Sequence, residues 1–64
     1  MSDSIGIRVL RTAARMQGSP ARLRDALQVT SAEVADWLAG TQEPPEDVVL
    51  RALALILDGL DAHD

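Results

Sequence analysis

The segment TSAEVADWLAG, residues 30–40, leaves this chain the least conformational freedom. In TSAE the Thr30 hydroxyl can accept from the backbone N–H of Glu33 while the Glu33 carboxylate reaches back to the N–H of Thr30, a reciprocal cap that fixes where a helix begins. Gly40 is placed to supply the left-handed residue that ends it, so a short helix over about residues 31–39 is bounded on both sides. Val34, Trp37 and Leu38 fall at the three- and four-residue spacings that face a core. Trp37 is the only aromatic residue of the chain, and that spacing makes it a core residue rather than a stacking platform for single-stranded nucleic acid.

The same kind of punctuation divides the rest. Ser19 before Pro20 can cap a helix that opens with proline at its first position, where no hydrogen bond is lost. That helix runs over about 20–27, with Leu23, Ala26 and Leu27 inward and Val29 covering the core at the turn. Before it, Ile5, Val9, Ala13 and Met16 share one face of a first helix over about 4–17, ended by Gly18. Arg8, Arg11 and Arg15 form a separate stripe, read as the solvated side of an amphipathic helix rather than as a phosphate-binding row. After Gly40, TQEPPED offers no apolar residue to bury and reads as a turn.

A fourth helix is expected over about 46–58. Glu46 and Asp47 in its first turn complement the helix dipole, which explains them without a metal or a catalytic role. Val48, Val49, Leu50, Ala52, Leu53, Leu55, Ile56 and Leu57 cover well over half of its circumference, a wider apolar stripe than one small core requires. Gly59 is expected to end the helix, with Leu60 folding back and the acidic tail 59–64 frayed. The fold expected is all-α, a compact bundle of four short helices in one domain, 1–64, with two of the helices joined by a tight turn.

A chain of 64 residues buries only roughly 60% of the surface that its unfolded form exposes, so a second subunit is the natural supplement to its core. Cysteine is absent, which removes disulfides and thiolate metal sites. No signal-peptide pattern and no run of roughly 20 apolar residues is found, so the expectation is a cytoplasmic protein without a membrane partner. His63, the single histidine, lies next to the last residue and gives no basis for a metal site or a nucleophile and base pair. No glycine-rich phosphate loop and no paired buried acids are apparent. An enzyme, a cofactor and a metal are therefore not expected.

The net charge of −4 is unevenly distributed. Residues 1–28 hold five arginines against two aspartates, a net +3, and residues 29–64 hold Arg51 against eight carboxylates, a net −7. One half of the chain is basic and the other acidic.

The buried spacing of Leu23, Leu27, Val29, Val34 and Trp37, with WLAG, the proline-bearing turn and the apolar helix after it, resembles the phage-repressor and Cro-like helix-turn-helix family over residues 19–57. The first helix fits the same plan. The resemblance implies that the helix over 31–39 enters the major groove of DNA and that Ser31, Ala32, Glu33, Ala35 and Asp36 project toward base edges, with Thr41 and Gln42 near the backbone. Two positions depart from the family's pattern in the fold. Arg24 stands where a small residue usually follows the first buried leucine. Gln28 stands where glycine is usual, so the turn either takes a left-handed non-glycine residue, at roughly 1–2 kcal/mol, or is slightly wider. The outward face also departs, since it has two acids and none of the Arg, Asn or Gln that commonly read bases.

Three functions are consistent with these features. The first is a small helix-turn-helix transcriptional regulator that binds double-stranded DNA as a homodimer, with Leu50, Leu55 and Leu57 at the subunit interface. The second is an acidic module of the same fold that docks on a basic protein, such as another regulator, and not on DNA. The third is an oligomerising structural protein that uses only the fourth helix.

Overall fold

The computed structural model describes residues 4–61, the side chain of Asp61 excepted. Residues 62–64, including His63 and the end of the acidic tail, lie outside the described residues. Four helices follow one another, α1 (Ile5–Gln17), α2 (Pro20–Leu27), α3 (Ser31–Ala39) and α4 (Glu46–Asp61), and there is no strand among the described residues.

The boundaries of the first three helices have local causes. The Ser4 hydroxyl accepts from the Ile7 N–H at 3.2 Å, the Ser19 hydroxyl from the Arg22 N–H at 3.2 Å, and the Thr30 hydroxyl from the Glu33 N–H at 3.1 Å. These contacts satisfy donors that the first turn of a helix leaves without partners. At the other ends Gly18, Gln28 and Gly40 adopt left-handed conformations with φ of 100°, 59° and 83°. Gln28 thus takes the strained alternative, and the turn between α2 and α3 stays tight.

Two arginines finish other helix ends through tertiary contacts. Arg11 Nε donates to the Leu38 carbonyl at 3.1 Å, and Arg51 Nη1 donates to the Leu27 carbonyl at 3.3 Å. A cation at a helix C-terminus supplies a donor to an orphan carbonyl and complements the dipole. α1 thereby holds the end of α3, and α4 holds the end of α2.

The core is built from Leu10, Ala13 and Ala14 of α1, Leu23 and Leu27 of α2, Val34 and Trp37 of α3, and Val48 and Ala52 of α4. Leu10, Leu23 and Leu27 are fully buried, each contributing about 1.5–3 kcal/mol relative to exposure. No polar or charged side chain among the described residues is buried.

α1 and α4 form the closest helix pair and run in the same sense. A Cβ on Gly6 would lie 3.1 Å from Val49 Cγ2, and one on Gly59 would lie 2.6 Å from Met16 Cε, so starts meet starts and ends meet ends.

Four details differ from the sequence expectation. α1 buries Ile7, Leu10, Ala13 and Ala14, whereas Ile5 is 76% exposed, Met16 40% exposed and Val9 half-buried. The helix carries two overlapping apolar stripes, and its contacts with three neighbours decide which is sealed. Ala26 is exposed, and α2 buries only Leu23 and Leu27. Pro44 is buried: its ring lies beside Gly6, where a Cβ would be 3.2 Å from Pro44 Cγ. α4 continues through Gly59 to Asp61, so Leu60 remains exposed and does not fold back. Gly59 provides room for the Met16 methyl rather than a stop.

The left-handed Gln28 makes a prediction. Gln28→Gly should raise the unfolding free energy by about 0.5–1 kcal/mol, since relief of roughly 1–2 kcal/mol outweighs the extra freedom of glycine in the unfolded chain. Gln28→Val should lower it by about 1 kcal/mol or more. Urea denaturation followed by circular dichroism measures both.

Candidate nucleic-acid interface

α3 is held by its inner face. Val34 and Trp37 are buried, Leu38 is half-buried, and Ser31, Ala32, Glu33, Ala35 and Asp36 are all exposed, as are Thr41 and Gln42 beyond its end. The seven candidate DNA-contact positions therefore lie along the outer surface of one helix and the loop that follows it.

Most of their polar groups have internal partners. Glu33 Oε1 accepts from the Thr30 N–H at 3.0 Å and lies 3.0 Å from the Thr30 hydroxyl, so both halves of the cap are formed. The Thr41 N–H donates to the Asp36 carbonyl at 3.0 Å, and the Thr41 hydroxyl donates to the same carbonyl at 3.1 Å and to Asp36 Oδ1 at 3.4 Å. Asp36 and Thr41 together close the C-terminal end of α3 around the left-handed Gly40. Ser31 accepts from Arg24 Nη1 at 2.9 Å. Ala32 and Ala35 have no polar group to offer, and Gln42 completes the set.

Arg24 belongs to this surface, although the sequence places it only as an oversized residue at a helix crossing. Its guanidinium bonds Asp25 Oδ1 through Nε at 3.1 Å and Nη2 at 2.9 Å, and reaches across to Ser31 through Nη1. With Pro20, Ala21, Ser31, Val34 and Ala35 it lines a shallow cleft between α2 and α3. A long side chain next to the fully buried Leu23 must leave by that cleft, and this was the signal available in the sequence. The ion pair with Asp25 is solvent-exposed, so its own contribution to stability is small. The arginine brings a positive charge to the first turn of α3.

Arg8 and Arg15 are exposed on α1, whereas Arg11 is half-buried and engaged with Leu38. The three do not form a uniform solvated stripe. Among the candidate subunit contacts, Leu50 and Leu57 are about 60% exposed, but Leu55 is half-buried against the protomer's own core. Leu53 and Leu60 are exposed in its place. Their spacing, 50, 53, 57 and 60, was visible in the sequence.

Among the described residues no three His, Asp or Glu side chains stand close enough to share a metal ion, and no helix is long and apolar enough to cross a membrane. The chain has no match among protein-family models, curated proteins or solved structures.

The geometry separates capping from charge at Glu33. Thr30→Ala should lower stability by about 1 kcal/mol, whereas Glu33→Gln, which keeps an acceptor for the Thr30 N–H, should change it by less than about 0.5 kcal/mol. Thermal and urea unfolding of the two variants measures the difference.

Proposed function

We propose that this chain is a small cytoplasmic helix-turn-helix regulator of transcription, binding double-stranded DNA as a homodimer with α3 laid in the major groove. The observation that carries the reading is the exposure of every outward position of α3 while Val34 and Trp37 anchor it from below, with the Arg24 guanidinium at its first turn. The resemblance of residues 19–57 to the phage-repressor and Cro-like family points the same way. The reading assigns the chain no catalysis, cofactor or metal.

The chemistry of such a contact follows from the residue types. Ser31, Ala32 and Ala35 are small enough to let the helix backbone approach the groove floor, and an alanine methyl can pack on the thymine methyl. Asp36 can accept from a cytosine amino group. Arg22, exposed on α2, and Arg24 are the cations nearest to α3 in sequence and supply the phosphate contacts. Affinity rests on few charges, so binding is modest and falls less steeply with salt than that of a protein making roughly 6–10 phosphate contacts.

A second reading is favoured by one observation. From Gln28 to Leu50 the chain has no lysine or arginine, and Glu33, Asp36, Glu43, Glu46 and Asp47 are all exposed. That surface suits a basic protein partner better than a phosphate lattice.

Fluorescence anisotropy with duplex DNA across a salt series distinguishes the two. Arg22 and Arg24 of two protomers give about four phosphate contacts, so log K should fall against log salt with a slope of roughly −3.6. Arg24→Ala should weaken binding and make the slope shallower. A folded dimer that binds no duplex at low salt overturns the DNA reading. The second reading then requires that a polyarginine peptide bind, and that Glu33→Ala with Asp36→Ala abolish its binding.

A further inference from the structure

The large apolar side chains that stay exposed are confined to one part of the molecule. Among the described residues they are Ile5 and Met16 of α1 and Leu50, Leu53, Leu57 and Leu60 of α4, and neither α2 nor α3 contributes any. The four leucines follow one another at intervals of three, four and three residues, the spacing of a helix seam that packs against another helix. At 100° per residue they occupy an arc of about 80° on α4, turned away from Val48 and Ala52. Ile56 extends the band toward α1, where it shares a shallow groove with Ile5, Arg8, Val9 and Thr12. The result is one apolar band across α1 and α4.

The edges of the band carry opposite charge. Arg8 lines the groove at the α1 edge, and Arg15, seven residues on, lies on the same side of that helix; both are exposed. At the α4 edge stand Asp47 and Asp58, also exposed, with Arg51 paired to Asp47 at 3.8 Å. Because Gly6 meets Val49 and Gly59 meets Met16, Arg15 and Asp58 stand at the same height on opposite edges.

We infer that the band is covered by a second copy of this chain, packed about a two-fold axis parallel to α4, so that the two α4 helices run in the same direction. This rests on the dimer of the proposed function but not on DNA binding. An axis along the helices through the leucine seam exchanges left and right edges, so the leucines meet their own counterparts and the basic Arg8 and Arg15 side of each protomer lies toward the acidic Asp47 and Asp58 side of the other. An axis across the helices keeps each edge on its own side, which sets acid against acid and arginine against arginine. Both arrangements bury the same leucines. Charge complementarity therefore selects the parallel one.

Self-cross-linking reads the orientation directly, because the chain has no cysteine of its own and a disulfide forms only where two Cα atoms approach within about 7 Å. In the parallel dimer Leu50→Cys and Leu60→Cys should each cross-link to themselves on mild oxidation. In the antiparallel one, two copies of residue 50 stand roughly 15 Å apart, and only a mixture of the two variants cross-links. Sedimentation of the unmodified chain keeps the questions separate. A monomer overturns both the dimer and its orientation, and a dimer that cross-links only in the mixture overturns the orientation alone. Independently, Arg15→Asp should raise the dimer dissociation constant several-fold and Asp58→Arg in the same chain should restore it, with helix content unchanged by circular dichroism. A tighter Arg15→Asp dimer would overturn the parallel arrangement, since arginines facing each other are relieved by that change.

Discussion

Helix ends govern this molecule. Four helices within residues 5–61 create eight termini, and each leaves up to four backbone groups without an intrahelical partner. A core this small cannot absorb such groups unsatisfied, because each one left buried and unpaired costs about 1–3 kcal/mol. The polar residues are disposed accordingly. Ser4, Ser19, Thr30 and Glu33 serve starts, Gly18, Gln28, Gly40 and Thr41 serve ends, and Arg11 and Arg51 reach across the bundle to carbonyls of other helices. The two arginine contacts also tie α2 and α3 to the frame made by α1 and α4. The chain's polarity thus has a structural use first, and what is left for recognition is the remainder.

That order of demand explains why the outward face of α3 reads so plainly. In the proposed DNA complex Glu33 and Asp36 would face bases, yet each already closes an end of the helix that presents it. A side chain doing both must either keep its internal bond and offer a remaining lone pair, or exchange one partner for another. Small side chains at residues 31, 32 and 35 compensate by permitting close approach. The surface is shaped for contact more than it is equipped for discrimination.

What the sequence made legible follows the same division. Caps act over three or four residues, so α2 and α3 appear with their observed bounds, and the positions of α3 divide correctly into buried and exposed. Features set by distant partners did not appear. The choice between two apolar stripes on α1 depends on the three helices packed against it, the burial of Pro44 involves Gly6, and Gly59 within α4 lies against Met16. Gly59 illustrates the limit well: in isolation a glycine late in a helix signals a stop, and only the methyl group resting over it reveals another purpose. The half-burial of Leu55 against the core is hidden for a related reason, because a helix apolar around most of its circumference does not say which side is its own core. Arg24 was conspicuous as a departure before its partner Ser31 was known.

The side-by-side packing of α1 and α4 has a bearing on how the chain is made. The core cannot close until residues 46–61 exist to cover α1, and at about 5–20 residues per second the ribosome takes roughly 2–8 seconds to travel from the first helix to the last. Helical bundles of low contact order fold in microseconds to milliseconds once complete. Synthesis, not folding, therefore sets the pace, and Leu10 of α1 cannot be sealed before α4 has been made. The arrival of α4, rather than the capped pair in the middle, is thus the step that commits the molecule to its fold.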